Sequence, residues 1–347
     1  METIRIKDRK IGLGCPSFLI AEVAQNHDGS LGTAHSLIDA AADAGVDAIK
    51  FQTHIAACES TIREPWRIKF SEQDESRYEY WKRMEFTEAQ WTGLRQHANK
   101  RELIFLSSPF SIEAADLLSR IGVPAWKIAS GEVCNDPLLE KVAATGLPVL
   151  ISSGMSGWKD LDHVVNLCRC YRAPFAIFQC TTSYPCPPES VGLNLISDIR
   201  ARYDCPVGLS DHTGEIFAGL AAISFGANLL EFHITLHRRM FGPDIQSSLT
   251  FEDTVQLVRG VRAIEAMLAS PVDRDKLAKE AAAMANIFGK SIVARRKLPA
   301  GTVLAAEHLA LKKPGSGLPP SALPEVLGRR LVRTLSQDDE LSRQDIE

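Results

Sequence analysis

The chain has 347 residues, 45% of them hydrophobic and 24% charged, a balance that excludes disordered, collagenous and disulfide-stapled classes. A net charge of −4 gives no field suited to a nucleic-acid backbone, and no run approaches the roughly 18 apolar residues of a membrane-spanning helix. The start METIRIKDRKIG has no apolar signal-peptide core, and eight scattered cysteines without a CxxC pair read as reduced thiols of a cytoplasmic protein.

In chain order, residues 1–14 read as a hairpin, with Ile4, Ile6 and Ile11 around a Lys7–Lys10 turn, placed to close a barrel floor. Short apolar runs then alternate with helical patterns. The expected strands are Phe18–Ala24, Val46–Thr53, Leu103–Ser107, Ala125–Ser130, Pro148–Ser153, Pro174–Cys180, Pro206–Asp211 and Asn228–Ile234. Most are apolar on both faces, as in a covered parallel sheet. Helices are expected over Thr33–Ala44, Glu88–Lys100, Ile112–Ile121 and Leu161–Tyr171, with Ser111 as a start signal and Gly45, Gly122, Gly146 and Gly226 as stops. Eight strand–helix units in about 250 residues predict an α/β fold of the (β/α)8 TIM-barrel type. No GxGxxG follows an early strand, which argues against an open dinucleotide-binding sheet.

Two stretches break the repeat. Residues 54–85 form a long second strand-to-helix connection rich in aromatics (Trp66, Phe70, Tyr78, Tyr80, Trp81). Such a loop is functional or partly helical; most of its rings are expected to bury one another, with one or two free to stack on a sugar. From about residue 285, short runs broken by Pro and Gly predict a small second domain. The expected division is a barrel with its hairpin over 1–272, a linker over 273–285 and the small domain over 286–347. Residues 285–347 carry ten basic and seven acidic side chains, a basic cap beside an acidic barrel.

Barrel chemistry gathers at the carboxyl ends of the strands. Those ends read Glu22; Lys50 and Gln52; Ser107 and Ser108; Lys127, Ser130 and Glu132; Ser152 and Ser153; Thr181, Thr182 and Tyr184; Ser210, Asp211 and His212; Glu231 and His233. His212 and His233 end adjacent strands, with Asp211, Glu231 and Asp244 nearby. A divalent ion is the better reading of this pair than two core imidazoles, and nitrogens completed by oxygens suit Mn2+ or Mg2+ rather than a closed zinc site. Lys50 and Lys127, with Ser108, Ser130, Ser152, Thr182 and Ser210, suit a phosphate and a carboxylate. The competing use of a barrel lysine, a Schiff base, ranks second.

The segments AEVAQNHDGS (21–30), IKFQTH (49–54), FLSSPFS (105–111), AWKIASGE (125–132), ISSGM (151–155), CTTSYP (180–185), GLSDHT (208–213), LEFHITL (230–236) and FGPDIQSS (241–248) together resemble the sialic acid synthase family. The tail, KSIVARRKLPAG through LKKPGSGLPP, resembles its antifreeze-like SAF domain. The resemblance implies condensation of phosphoenolpyruvate with an N-acylated hexosamine to a nine-carbon 2-keto acid plus phosphate, with Mn2+ or a similar ion (Mg2+, Co2+). It implies His212 and His233 as metal ligands. Lys127, Ser108, Ser130, Ser152, Thr182 and Ser210 would hold the phosphoenolpyruvate phosphate, with Lys50 close by. Glu22, Gln52, Glu132, Tyr184 and Asp244 would lie at the sugar or its reacting end, Glu22 serving as base. It also implies a domain-swapped homodimer in which the small domain offers a basic residue to the partner's site. Three positions depart from the family pattern: Lys313 stands in KKPG where Arg is usual, His237 where an acid is usual, and Thr182 where Asn or Ser is usual. Lysine keeps the charge of that contact but not the bidentate fork.

Two rivals remain at this point. One is a barrel synthase making a shorter sugar acid from a phosphorylated aldose, which would need a second phosphate clamp. The other is a non-catalytic carbohydrate-binding protein of the same fold. Within the favoured class the acceptor is N-acetylmannosamine or a 2,4-diacetamido-6-deoxyhexose.

Overall fold

The computed structural model describes residues 3–347, so the first two residues of the expected hairpin segment lie outside it. The chain divides into two compact units, Met1–Ala269 and Ser270–Glu347.

The first unit is the barrel. Its strands are Phe18–Glu22 (β1), Ala48–Thr53 (β2), Ile104–Pro109 (β3), Trp126–Ile128 (β4), Val149–Ser152 (β5), Phe175–Cys180 (β6), Val207–Asp211 (β7) and Leu229–Ile234 (β8). All neighbours run parallel, in the order β3-β2-β1-β8-β7-β6-β5-β4, and β3 and β4 lie side by side to bring the ring almost to closure. Each strand is buried along its whole length except at Gln52. One face meets the surrounding helices; the other fills the barrel interior.

Helix boundaries follow local capping. Leu31–Ala44 starts on Ser30, whose hydroxyl accepts from Thr33 N–H, and stops at Gly45, which takes the left-handed φ of 83°. Ser111 caps Ile112–Ile121 through Ala114 N–H, as expected. Trp158–Cys170 begins earlier than the sequence pattern suggests, because the Asp160 carboxylate accepts from Gly157 N–H and draws the preceding turn into the helix.

Below the sheet, Ile4–Ile6 pairs antiparallel with Arg9–Ile11. Ile4, Ile6 and Ile11 join Phe18, Ile20, Leu106, Leu150, Phe178 and Leu229 in one buried cluster inside the barrel. The hairpin is therefore a plug of the amino-terminal mouth. Outside, a larger core seats the helices on the sheet, with Trp91 wholly buried against Phe51 and Phe86.

The 54–85 connection is partly helical, holding Ala56–Glu59 and Arg77–Met84. Arg83 ties it down: its guanidinium grips Asp74 (2.7 Å) and Asp28 (2.6 Å). Gly29, at φ 74°, must lack a side chain, since a Cβ there would meet the Arg83 carbonyl oxygen at 2.4 Å.

The second unit carries helices Arg274–Glu280 and Ala282–Phe288, then an antiparallel pair, Ser291–Ala294 with Leu309–Lys312. Its own core is formed by Ile292, Leu298, Leu304, Leu309, Val326, Leu331, Leu335 and Leu341.

Candidate active site

Because side chains alternate along a strand, only every second residue at each strand end faces the barrel axis. A cavity of about 600 Å³ opens there at the carboxyl end. Glu22, Lys50, Gln52, Ser108, Lys127, Ser130, Glu132, Ser152, Thr182, Tyr184, Ser210, His212, His233 and Asp244 all line it. Alternation also explains the residues that do not. Ser107 bonds Thr53 at 2.8 Å, and Asp211 turns back to accept from Thr213 N–H. His237 is exposed and accepts from Arg239 N–H instead of supporting His233. Lys313 belongs to the second unit, its ammonium 5.2 Å from the Phe288 ring centroid.

At the deep end, four charges interlock. Lys50 Nζ lies 2.8 Å from Glu22 Oε2 and 3.6 Å from Glu231 Oε1, and Lys127 Nζ lies 3.4 Å from that same Glu231 oxygen. Both lysines thus already face carboxylates, in a tetrad whose charges cancel when Glu22 is ionised. In the sequence Glu231 stands only as a rim carboxylate near His233; in the structure it bridges both ammoniums and accepts from Ser210 Oγ at 3.3 Å. Hydroxyls complete the set, with Lys127 donating to Ser152 and Lys50 to Ser108 (3.4 Å). Gly154 N–H donates to Ser130 Oγ. A Cβ at Gly154 would meet Thr182 Oγ1 at 2.5 Å and Ser130 Oγ at 2.7 Å, so its bare backbone lets these hydroxyls converge.

Burial sets the protonation pattern. It pushes the Glu22 carboxyl up to about 7, against the pull of Lys50 and with the help of Glu231. Burial acts on Glu231 too, but Lys127 and Lys50 outweigh it and hold that carboxyl below its usual range. Lys50 ends above its ordinary value because Glu22 and Glu231 overcome its desolvation, whereas desolvation prevails at Lys127 and lowers it.

The two imidazoles are neutral. Burial brings His212 down to about 4 and His233 well below its ordinary value. Their ring centroids are 5.3 Å apart, and Tyr184 stacks on His212 at 4.1 Å. His212 Nδ1 donates to the Thr181 carbonyl at 2.8 Å, which leaves Nε2 with its lone pair. His233 Nδ1 is buried with no partner. No three His, Cys, Asp or Glu residues form a ready cage among the described residues. Two neutral nitrogens beside a cavity fit an ion that takes its other ligands from water and substrate, not a closed structural site.

The outer wall is built largely by the long connection. Trp66 packs edge-on to Phe70, and Tyr80 contacts Phe70 and Trp81, so these rings pack on one another while lining the cavity. Arg67 lies over Tyr184 (4.7 Å) and 3.8 Å from Asp244, and Arg77 pairs with Glu64 at 3.1 Å. Asp244 is pushed up to about 6 by burial, against Arg67. Glu132 is raised by burial and accepts from Asn135 at 2.7 Å.

Comparison with known proteins points to one family. Residues 37–273 match the NeuB family and residues 289–347 match the SAF domain. The chain is 34% identical to an N,N'-diacetyllegionaminic acid synthase of Campylobacter jejuni, over 93% of this chain and 98% of that one. It is also 34% identical to the N-acetylneuraminate-9-phosphate synthase of Homo sapiens, over 95% and 93%. Among solved structures, an N-acetylneuraminic acid synthetase from Leptospira borgpetersenii superposes with a TM-score of 0.72 at 30% identity, covering 80% of this chain and 95% of that one. No helix among the described residues is long and apolar enough to cross a membrane.

Proposed function

The chain belongs to the NeuB family, and from that premise we propose that it is a transferase joining phosphoenolpyruvate to an N-acylated hexosamine, with release of phosphate. The acceptor is N-acetylmannosamine or a 2,4-diacetamido-6-deoxyhexose. The observation that carries this reading is the coexistence, in one cavity, of the Glu22–Lys50–Glu231–Lys127 tetrad and two neutral imidazoles.

Lys127, Ser130, Ser152, Thr182 and Ser210 would hold the phosphate, with Lys50 and Ser108 beside the carboxylate. Charge-assisted hydrogen bonds from the ammoniums would strengthen as phosphate departs by C–O cleavage. Gln52, Glu132, Tyr184 and Asp244 would hold the open-chain sugar with its aldehyde carbon toward C3 of the enol. His212 and His233 would hold a divalent cation, Mn2+ first and Mg2+ or Co2+ as alternatives, which when bound supplies Lewis-acid polarisation of the aldehyde. The C3–C1 bond leaves positive charge at C2. Glu22 would stabilise that charge and take the proton of the water that adds there. Lys313 of a second copy, in a swapped dimer, would reach the acceptor.

The rival use of a phosphorylated aldose is disfavoured by the cavity mouth, where Arg67 and Arg77 are already engaged with Asp244 and Glu64. The test is a phosphate-release screen with phosphoenolpyruvate and Mn2+ over N-acetylmannosamine, the diacetamido sugar, erythrose 4-phosphate and arabinose 5-phosphate, repeated with chelator. Release with an N-acyl sugar, abolished by chelator, is expected. Release with the aldose phosphates alone would overturn the reading.

A further inference from the structure

One group in the cavity has no part in that chemistry. His54, at the end of β2, is buried and lies flat between two rings. Trp81 of the helix Arg77–Met84 is at 4.2 Å and 21°, and Phe110 beyond β3 is at 4.5 Å and 17°. Its Nδ1 is 2.6 Å from Glu59 Oε1, and Glu59 Oε2 also accepts from Ile55 N–H. The ring is thus fixed in plane by the stack and in rotation by the carboxylate.

Its other nitrogen points at the amides beside Glu22. Gln25 Nε2 is 2.8 Å from His54 Nε2 and 2.8 Å from Gln52 Oε1. Gln25 Nε2 donates, one proton toward His54 Nε2 and one toward Gln52 Oε1, which itself lies 3.2 Å from His54 Nε2. At the other end Glu59 accepts, so Nδ1 donates to it. With its oxygen satisfied by Gln25, Gln52 can turn only its NH2 toward the reacting carboxylate, and it donates to Glu22 Oε1 at 2.9 Å. Each bond in this chain dictates the direction of the next. Were the Gln52 amide to rotate, its oxygen would face a carboxylate and the contact would become repulsive.

We infer that His54, oriented by Glu59 and by the Trp81–Phe110 clamp, is a positioning residue. It fixes the amide direction of Gln52 through Gln25, and so holds Glu22 aligned with the acceptor. The long connection thereby acts on the chemistry through Trp81 without touching the reacting atoms. This rests on the reading of the cavity as a synthase site, and the assignment adds to that reading a residue that meets neither substrate.

Three substitutions separate shape from hydrogen bonding. H54F keeps the stack and loses both polar contacts. H54N keeps a donor near the Nδ1 position but loses the Nε2 end. H54Q places an amide oxygen near the Nε2 position, able to accept from Gln25. Phosphate-release kinetics with N-acetylmannosamine and the diacetamido sugar, calorimetric binding of phosphoenolpyruvate and thermal melts are measured for each. H54F and H54N should lose on the order of 10- to 100-fold in kcat/KM for the acceptor, as expected for a small misalignment of a reacting group. Phosphoenolpyruvate affinity should change less than twofold, and H54Q should recover most of the loss. H54F matching wild type, or H54Q no better than H54N at equal melting temperature, would overturn the role given to His54 alone. No phosphate release by wild type with any acceptor would remove the synthase reading and this inference with it.

Discussion

Lys50 Nζ stands between two carboxylates, 2.8 Å from Glu22 on β1 and 3.6 Å from Glu231 on β8, so one ammonium joins side chains from three successive strands of the ring. Glu231 in turn reaches Lys127 from the far side of the barrel. With Glu22 ionised the four charges cancel, and an entering anion must compete with Glu231 for Lys127.

Glu231→Gln tests that balance. Removing one partner of a buried ion pair costs about 3–5 kcal/mol, so the variant should melt well below wild type. Inorganic phosphate should raise its melting temperature more than it raises that of wild type, because Lys127 then lacks its carboxylate. Equal shifts in the two proteins would show that phosphate does not meet Lys127.

Glu22→Gln should reduce phosphate release by at least 100-fold while leaving phosphoenolpyruvate affinity near normal. In wild type, the base form is the carboxylate. With its carboxyl held up to about 7, kcat/KM should fall tenfold for each unit of pH well below 7 as the proton returns. A rate independent of pH between 5 and 7 would exclude Glu22 as the base.

The imidazole pair predicts a dependence on divalent metal. Manganese binding, followed by the loss of free-ion signal in electron paramagnetic resonance, should be seen in wild type and be lost in His233→Ala and His212→Ala. Activity lost to chelator should return with Mn2+ in wild type only. Undiminished manganese binding in both variants would place the ion elsewhere.

His27 gives a stability signature separate from catalysis. Its ring is buried against Phe86, accepts from Gly29 N–H at 3.0 Å and has no partner at Nε2. Burial first, then His54 and Arg83, brings it down to about 3. The unfolded chain takes up a proton near 6.5 and the folded one does not, so this group costs stability as pH falls below 6.5, progressively toward 3. His27→Asn keeps an acceptor for Gly29 and removes the titration. Between pH 7 and 5, denaturant melts should show wild type losing about 1–2 kcal/mol more than the variant.

The barrel and its inner rim were legible because both follow from a period of two. Lys50 and Gln52 on β2, and Glu231 and His233 on β8, alternate with apolar residues that face the helices. Strand ends that turn polar on every second residue leave a mark in a single sequence. The outer wall leaves none. Residues 60–76 hold no helix or strand, so no period tells that Arg67 lies over Tyr184 or that Glu64 accepts from Trp81 Nε1. The bridging role of Glu231 was hidden for another reason: its partners lie 181 and 104 positions away, and only ring closure brings them within reach. His54 ends the segment IKFQTH, yet its geometry depends on Phe110 and Trp81 arriving from separate elements.

The isoleucine plug beneath the barrel has a kinetic corollary. With Ile4, Ile6 and Ile11 stoppering the lower mouth, the cavity that holds Lys127 opens among the described residues at the rim, beside Tyr184 and Asp244. A molecule seated at the bottom is trapped until whatever rests above it leaves, so loading runs from the floor upward and unloading in reverse. For the proposed reaction, the small anion would then go in ahead of the sugar, and the inorganic fragment would be last to escape.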